Sequence, residues 1–83
     1  MKKYPKILNV ETLEGKRLKV LFEGNVIKIY DCTPLLTEDT FKPLEDDALF
    51  KNVHADEGGY GIVWNDYLDL SESELWENGS RIN

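Results

Sequence analysis

Apolar and polar residues alternate along three early runs, KILNVET, RLKVLF and VIKIY, with a glycine in each gap between them. Period-two alternation broken at glycine predicts two consecutive β-hairpins. In the second hairpin a two-residue loop at Glu23 and Gly24 sets Val20 opposite Ile27 and Leu18 opposite Ile29, so all four share one face. A three-residue loop would set Val20 against Lys28 and mix buried with exposed positions, so the shorter turn is expected. In the first hairpin a loop of Leu13, Glu14 and Gly15 puts glycine where a left-handed bulge residue is wanted. That register pairs Val10 with Leu18, Leu8 with Val20 and, on the outer face, Glu11 with Arg17.

The alternation ends at Tyr30. The following stretch, DCTPLLTEDTFKPLEDD, carries Pro34 and Pro43 among apolar anchors at Leu35, Leu36, Phe41 and Leu44. It predicts an irregular segment pinned onto the sheet, with Pro34 in a turn or at the first position of a short helix. About one helical turn is expected over EDDALFKN, with Asp46 as N-cap and Leu49 and Phe50 facing inward. NVHAD and YGIVW predict a third hairpin around Glu57, Gly58 and Gly59, with Val53, Ala55, Ile62 and Trp64 in the core. After an extended YLDL, Ser71 and Glu74 have the spacing of a capping box. Leu70 and Leu75 supply the matching hydrophobic staple, and Gly79 stands at the C-cap of a short terminal helix. The expected fold is α+β: a small, mainly antiparallel sheet from consecutive hairpins with one or two short helices. Residues 1–83 are expected to form one domain.

Charge narrows the partners. Sixteen acidic against ten basic residues give a net charge of -6, which repels phosphate backbones and anionic headgroups at long range. Direct nucleic-acid binding is therefore not expected, and neither is a membrane partner. The lone cysteine, Cys32, has no intramolecular partner for a disulfide, which points to a reducing, cytoplasmic home. Lys2 and Lys3 lie near the start of the chain, but Pro5, Lys6 and Asn9 interrupt the apolar run that a signal peptide needs. No apolar run approaches the ~20 residues of a membrane-spanning helix.

Candidate chemistry is sparse, and nothing has the spacing of a nucleophile triad, a metal box or a phosphate loop. Asp31, Asp56, Asp66 and Asp69 fall at predicted strand ends, where aspartate ordinarily caps turns. His54 alternates away from the core face shared by Val53 and Ala55, so a surface position is expected. Cys32 lacks a neighbouring cation to activate its thiol and reads as a small buried residue. Gly58 and Gly59 precede a strand, not a helix, and so make a turn and no phosphate cradle. Tyr60, Trp64, Tyr67 and Trp76 divide between core packing and a contact surface. No cofactor and no metal are expected.

The ordered string LKVLFEGNVIKIYD, LL, F..L.D..LFKNV, D.GGYGIVW, then DL and a short helix, resembles the bacterial domain-of-unknown-function family 2442 over nearly the whole chain. The turn leading to Tyr30 and Asp31, the Leu49–Phe50 pair, and the stretch from Gly61 to Leu70 with Trp64 and Asp69 carry the likeness. The resemblance implies a small α+β domain with no established activity or catalytic residues. It also implies company: relatives look like companions of small proteins encoded beside them, in the manner of toxin and antitoxin pairs. Some similar domains are fused to a helix-turn-helix DNA-binding module. Because this chain ends soon after the capped helix, any DNA-directed role is expected to need a separate protein.

The reading that follows is a non-enzymatic protein-interaction domain, the acidic member of a two-gene pair, whose partner is a small protein or a second copy. Strand addition at RLKVLF or YGIVW is the expected mode if those segments lie at a sheet edge. The alternative is a small ligand-binding or enzymatic domain using Asp31, Asp69 and His54. Candidate interaction or pocket residues are Asp31, His54, Tyr60, Trp64 and Asp69.

Overall fold

The computed structural model describes residues 4–83; Lys2 and Lys3 lie outside the described residues. Strands β1 (Ile7–Leu13), β2 (Arg17–Phe22) and β3 (Val26–Asp31) form a meander, and β7 (Ser80–Arg81) adds to it in the order β1-β2-β3-β7. A second antiparallel sheet runs β4 (His54–Ala55), β5 (Gly61–Asn65), β6 (Leu68–Ser71) in that order. Two short 3-10 helices, Thr33–Thr37 and Lys42–Glu45, and one helical turn, α1 (Asp47–Phe50), link the sheets, and α2 (Glu72–Asn78) precedes β7. The fold is α+β, as the sequence predicts, with its strands divided between two sheets.

Both early hairpins depart from their expected registers. The first turns through Glu14, Gly15 and Lys16, with Gly15 at φ 77° and Lys16 at φ 58°, so that Val10 faces Val20 and Glu11 faces Lys19. This shift of two positions keeps the same residues on each face. A register break between Ile7 and Asn9 then brings Ile7 opposite Phe22 in the core and leaves Leu8 56% exposed.

The second hairpin turns through Glu23, Gly24 and Asn25, with Gly24 at φ 83° and Asn25 at φ 61°. Asparagine tolerates the left-handed region better than other side chains do, which permits the longer loop. Val20 therefore faces Lys28, Leu21 faces Ile27 and Lys19 faces Ile29. A shift of one position reverses faces, so Ile27 and Ile29 stand opposite the expected side. The position this gives Lys28 is compensated. Its ammonium donates to the Trp76 carbonyl near the end of α2 and lies 3.9 Å from the Trp76 ring centroid, both favourable settings for a cation.

The core draws on both sheets. Leu18, Val20, Phe22, Cys32, Leu44, Ile62 and Leu75 are fully buried, and Phe50 and Trp64 are nearly so. Ala55 and Val53 are half-buried against this cluster. Pro34 sits in the first turn of the first 3-10 helix, and Asp46 caps α1 by accepting from Ala48 N at 3.0 Å. Ser71 caps α2, its Oγ accepting from Glu74 N at 3.1 Å, and both staple residues, Leu70 and Leu75, are buried. Gly79 is not left-handed: its φ is -82°, and a Cβ there would lie 2.5 Å from the Leu75 carbonyl oxygen and 3.1 Å from Lys28 Cβ. Glycine is needed for that close passage into β7, not for a positive torsion. Among the described residues no helix is long and apolar enough to cross a membrane.

Candidate functional site

Alternation along β1–β3 gives the larger sheet two faces, and only one of them meets the core. On the other, Leu21 stands opposite Ile27, Ile29 lies one row away opposite Lys19, and Lys19 in turn faces Glu11. Ile82 N donates to the Ile27 carbonyl at 3.0 Å, so Ile82 extends the Leu21–Ile27 row past β7 and is 57% exposed. Leu21, Ile27 and Ile29 are each half-buried, yet none belongs to the core cluster or packs against it. A shallow hollow of about 180 Å³ opens there, lined by Asn9, Glu11, Lys19, Leu21 and Ile27. An apolar stripe spanning strands of one sheet face marks a contact surface more than scattered exposed side chains would. The register expected for the second hairpin hid this face. Its signal was present, since RLKVLF and VIKIY carry apolar residues at both odd and even positions, the pattern of a strand apolar on both sides.

Strand addition at RLKVLF or YGIVW is corrected by the topology. The first segment is β2, flanked by β1 and β3, and the second contains β5, flanked by β4 and β6. Their backbone groups are committed to neighbours on both sides, so neither offers an edge.

The five candidate residues do not converge. Asp31 ends β3, where its Oδ1 accepts from Thr33 N at 2.9 Å and Thr33 Oγ1 at 2.8 Å. The backbone hydrogen bond from Thr33, and then its hydroxyl, hold the Asp31 carboxyl below the usual carboxylate range; it is a turn cap. His54 and Asp69 share a row of the smaller sheet, each paired with Val63, which stands between them. Two strand spacings, roughly 10 Å, separate them, beyond hydrogen-bond reach. His54 is exposed, with Nδ1 3.3 Å from the Asn52 carbonyl oxygen. Trp64 belongs to the core: Nε1–H donates to the Phe50 carbonyl at 3.0 Å, and its ring stacks on Phe50 at 6.2 Å. Tyr60 is 58% exposed, with the Lys6 ammonium 3.6 Å from its ring centroid.

Two further polar features are structural pairs. Lys16 bonds Asp47 at 2.5 Å and the Glu45 carbonyl at 3.0 Å, and it lines a cleft of about 400 Å³ with Lys51, Phe50 and the β1–β2 turn. A second cleft of about 380 Å³ holds Tyr30, Asp31, Pro34, Leu35, Glu74 and Asn78. There the Tyr30 hydroxyl donates to Glu74, and burial first, then that bond, pushes the phenol above its ordinary range. Cys32 is a free buried thiol, pushed up to about 12 by burial and then by Asp31. Among the described residues no group of three or more His, Cys, Asp or Glu side chains gathers to hold a metal ion.

The geometry defines a small two-sheet α+β protein in which, among the described residues, one face of the larger sheet is left uncovered. The chain belongs to the family described as "Protein of unknown function (DUF2442)", whose model matches residues 7–80. No curated protein matches it. The same fold occurs in the crystal structure of a Nitrosomonas europaea protein described as a "Putative DNA Binding Protein", with TM-score 0.78 and 24% sequence identity. The match covers 94% of this chain and 52% of that one, so the chain spans about half that protein's length. At this identity the likeness is one of fold.

That neighbour's description overturns the expectation of no direct nucleic-acid contact. The exclusion rested on a net charge of -6, which sets the long-range field of the whole molecule and does not fix the chemistry of a particular face.

Proposed function

We propose that this chain is a non-enzymatic protein-interaction domain, folding as one unit over its length and acting within a DNA-associated assembly. The single observation that carries the reading is the uncovered stripe of Leu21, Ile27, Ile29 and Ile82 on the larger sheet. Apolar surface of this kind gains free energy when a partner removes it from water, at about 25 cal/mol per Å² before the costs of association. The DNA-associated setting is drawn from the description of the Nitrosomonas europaea neighbour. An acidic protein of this size suits the role of companion to a more basic one.

The test is affinity capture of the tagged chain from its own cells, in parallel with an Ile27→Ser variant whose folding is checked by circular dichroism. Captured proteins are identified by mass spectrometry, and the binding ratio is set by light scattering. A stoichiometric partner that is lost with Ile27→Ser is the expected result. A partner retained equally by the variant, or no partner at all, overturns the reading. Gel-shift assays with the captured complex then test its link to DNA.

A further inference from the structure

We infer that the open face of the larger sheet receives an amphipathic helix of a partner polypeptide, its apolar stripe flanked by lysine or arginine. The inference rests on the interaction reading above and names the partner's chemistry. Leu21, Ile27 and Ile82 form one apolar row across β2, β3 and the residue after β7, and Ile29 stands beside it. What this face presents is side chains, because the backbone of β2 is paired on both sides and that of β3 on one side by β2 and on the other by β7. Rows of side chains on a sheet face suit a helix laid across them, the usual cover of such a face, whereas an added strand would pair at the β1 or β7 edge.

Charge selects among helices. Exposed carboxylates stand on the face at Glu11 and at the ends of its strands at Glu14, Glu23 and Asp31. The nearby cations are matched by carboxylates: Lys16 bonds Asp47, and Arg17, on the same face, stands opposite Asp31, which leaves the turn carboxylates Glu14 and Glu23 in surplus. Lys19 lies on the face but opposite Glu11. This local surplus of carboxylate favours a cationic helix over an acidic one, and the net charge of -6 over the whole chain steers its approach at long range.

The test titrates three synthetic peptides of about five helical turns into the full, isotopically labelled chain. One peptide alternates leucine and lysine at helical spacing, one uses leucine and glutamate in the same pattern, and one shuffles the leucine–lysine composition to destroy the stripe. The expected result is that only the first shifts the amide resonances of Leu21, Ile27, Ile29 and Ile82. Ile27→Ser and, independently, Ile29→Ser should each weaken it about tenfold or more. Equal binding of the leucine–glutamate peptide on this face overturns the cationic partner while leaving the interaction reading standing. Equal binding of the shuffled peptide, or no shift on this face, overturns the helical occupant. Duplex DNA alone shifting the same resonances also overturns it, in favour of direct nucleic-acid contact. Loss of the captured cellular partner with Ile27→Ser remains the separate test of the interaction reading.

Discussion

The Tyr30 hydroxyl donates to Glu74 Oε2 at 2.8 Å, joining residues 44 positions apart in the chain. This bond ties the end of β3 to the first turn of α2. In a complete capping box the N3 glutamate reaches back to the N-cap amide; here the Glu74 carboxylate is directed to Tyr30 while Ser71 Oγ still receives Glu74 N. Half of a local motif is thus converted into a tertiary contact.

Removing the phenol tests that contact. Tyr30 is only 5% exposed, so Tyr30→Phe keeps the packing and deletes one hydrogen bond to a charged acceptor, with an expected cost of about 1.5–3 kcal/mol. In a domain of this size that corresponds to a Tm lower by about 4–8 °C per kcal/mol. Glu74→Gln keeps an acceptor and should cost less. Urea denaturation of both variants checks the order, and equal stability of Tyr30→Phe and the parent would show that the bond contributes nothing.

Two glycines with similar torsions should respond very differently to alanine. Gly24 has φ 83°, and a Cβ added there would meet nothing within 4 Å, whereas at Gly59, φ 74°, an added Cβ would lie 2.8 Å from the Ile7 carbonyl oxygen. Gly24→Ala therefore costs only the left-handed torsion, about 1–2 kcal/mol. Gly59→Ala adds a backbone collision and disturbs the bond from Ile7 N to the Gly59 carbonyl at 2.8 Å, which joins the third hairpin to the start of β1. Thermal melts should show Gly59→Ala markedly the less stable of the two; a reversed order would contradict the close approach.

What the sequence disclosed follows from how local each signal is. The α2 cap at Ser71, the α1 cap at Asp46 and the buried pair Ile62 and Trp64 were legible, because each depends on residues close in the chain. The β2–β3 register was not, since Asn25 accepts a left-handed torsion of 61° that the pattern alone assigned to glycine. One residue of slip moved Ile27 and Ile29 to the outer face, and the candidate surface moved with them. Aspartates at strand ends drew attention to Asp31 and Asp69, and the single histidine to His54, yet Asp31 caps Thr33 and Val63 separates the other two. The separation of strands into two sheets depends on pairing between distant segments, which periodicity does not encode.

Cys32 should resist alkylation in the native state. It is fully buried, and its thiol is pushed up to about 12, against an ordinary thiol near 8.5. Iodoacetamide at about pH 8 should modify it at the rate of global opening, and rapidly in denaturant. Because burial keeps the neutral thiol in the folded state while the unfolded thiol ionises first, this group's stabilisation is complete below about 8.5 and declines as pH rises toward about 12. Fast native labelling, followed by mass spectrometry, would contradict the buried placement.

Acid should weaken the fold through two carboxylates that salt can tell apart. Asp31 is lowered chiefly by the hydrogen bond from Thr33 N, and Asp47 chiefly by its bond to the Lys16 ammonium. For each, the folded form holds the carboxylate more strongly than the unfolded chain does. The stabilisation is therefore present above the unfolded value near 3.9 and is lost as pH falls through the lower folded value. Tm should drop on acidification below about pH 4, and Asp31→Asn and Asp47→Asn should each flatten part of that drop. The Lys16–Asp47 pair leaves Asp47 81% exposed, so salt at about 1 M should screen it and largely abolish the Asp47 share. Thr33 is uncharged, so the Asp31 share should persist in the same salt. Melts of parent and variants across pH at low and high salt make the comparison, and an Asp31 share that vanished with salt would place its stabilisation in charge and not in the turn it caps.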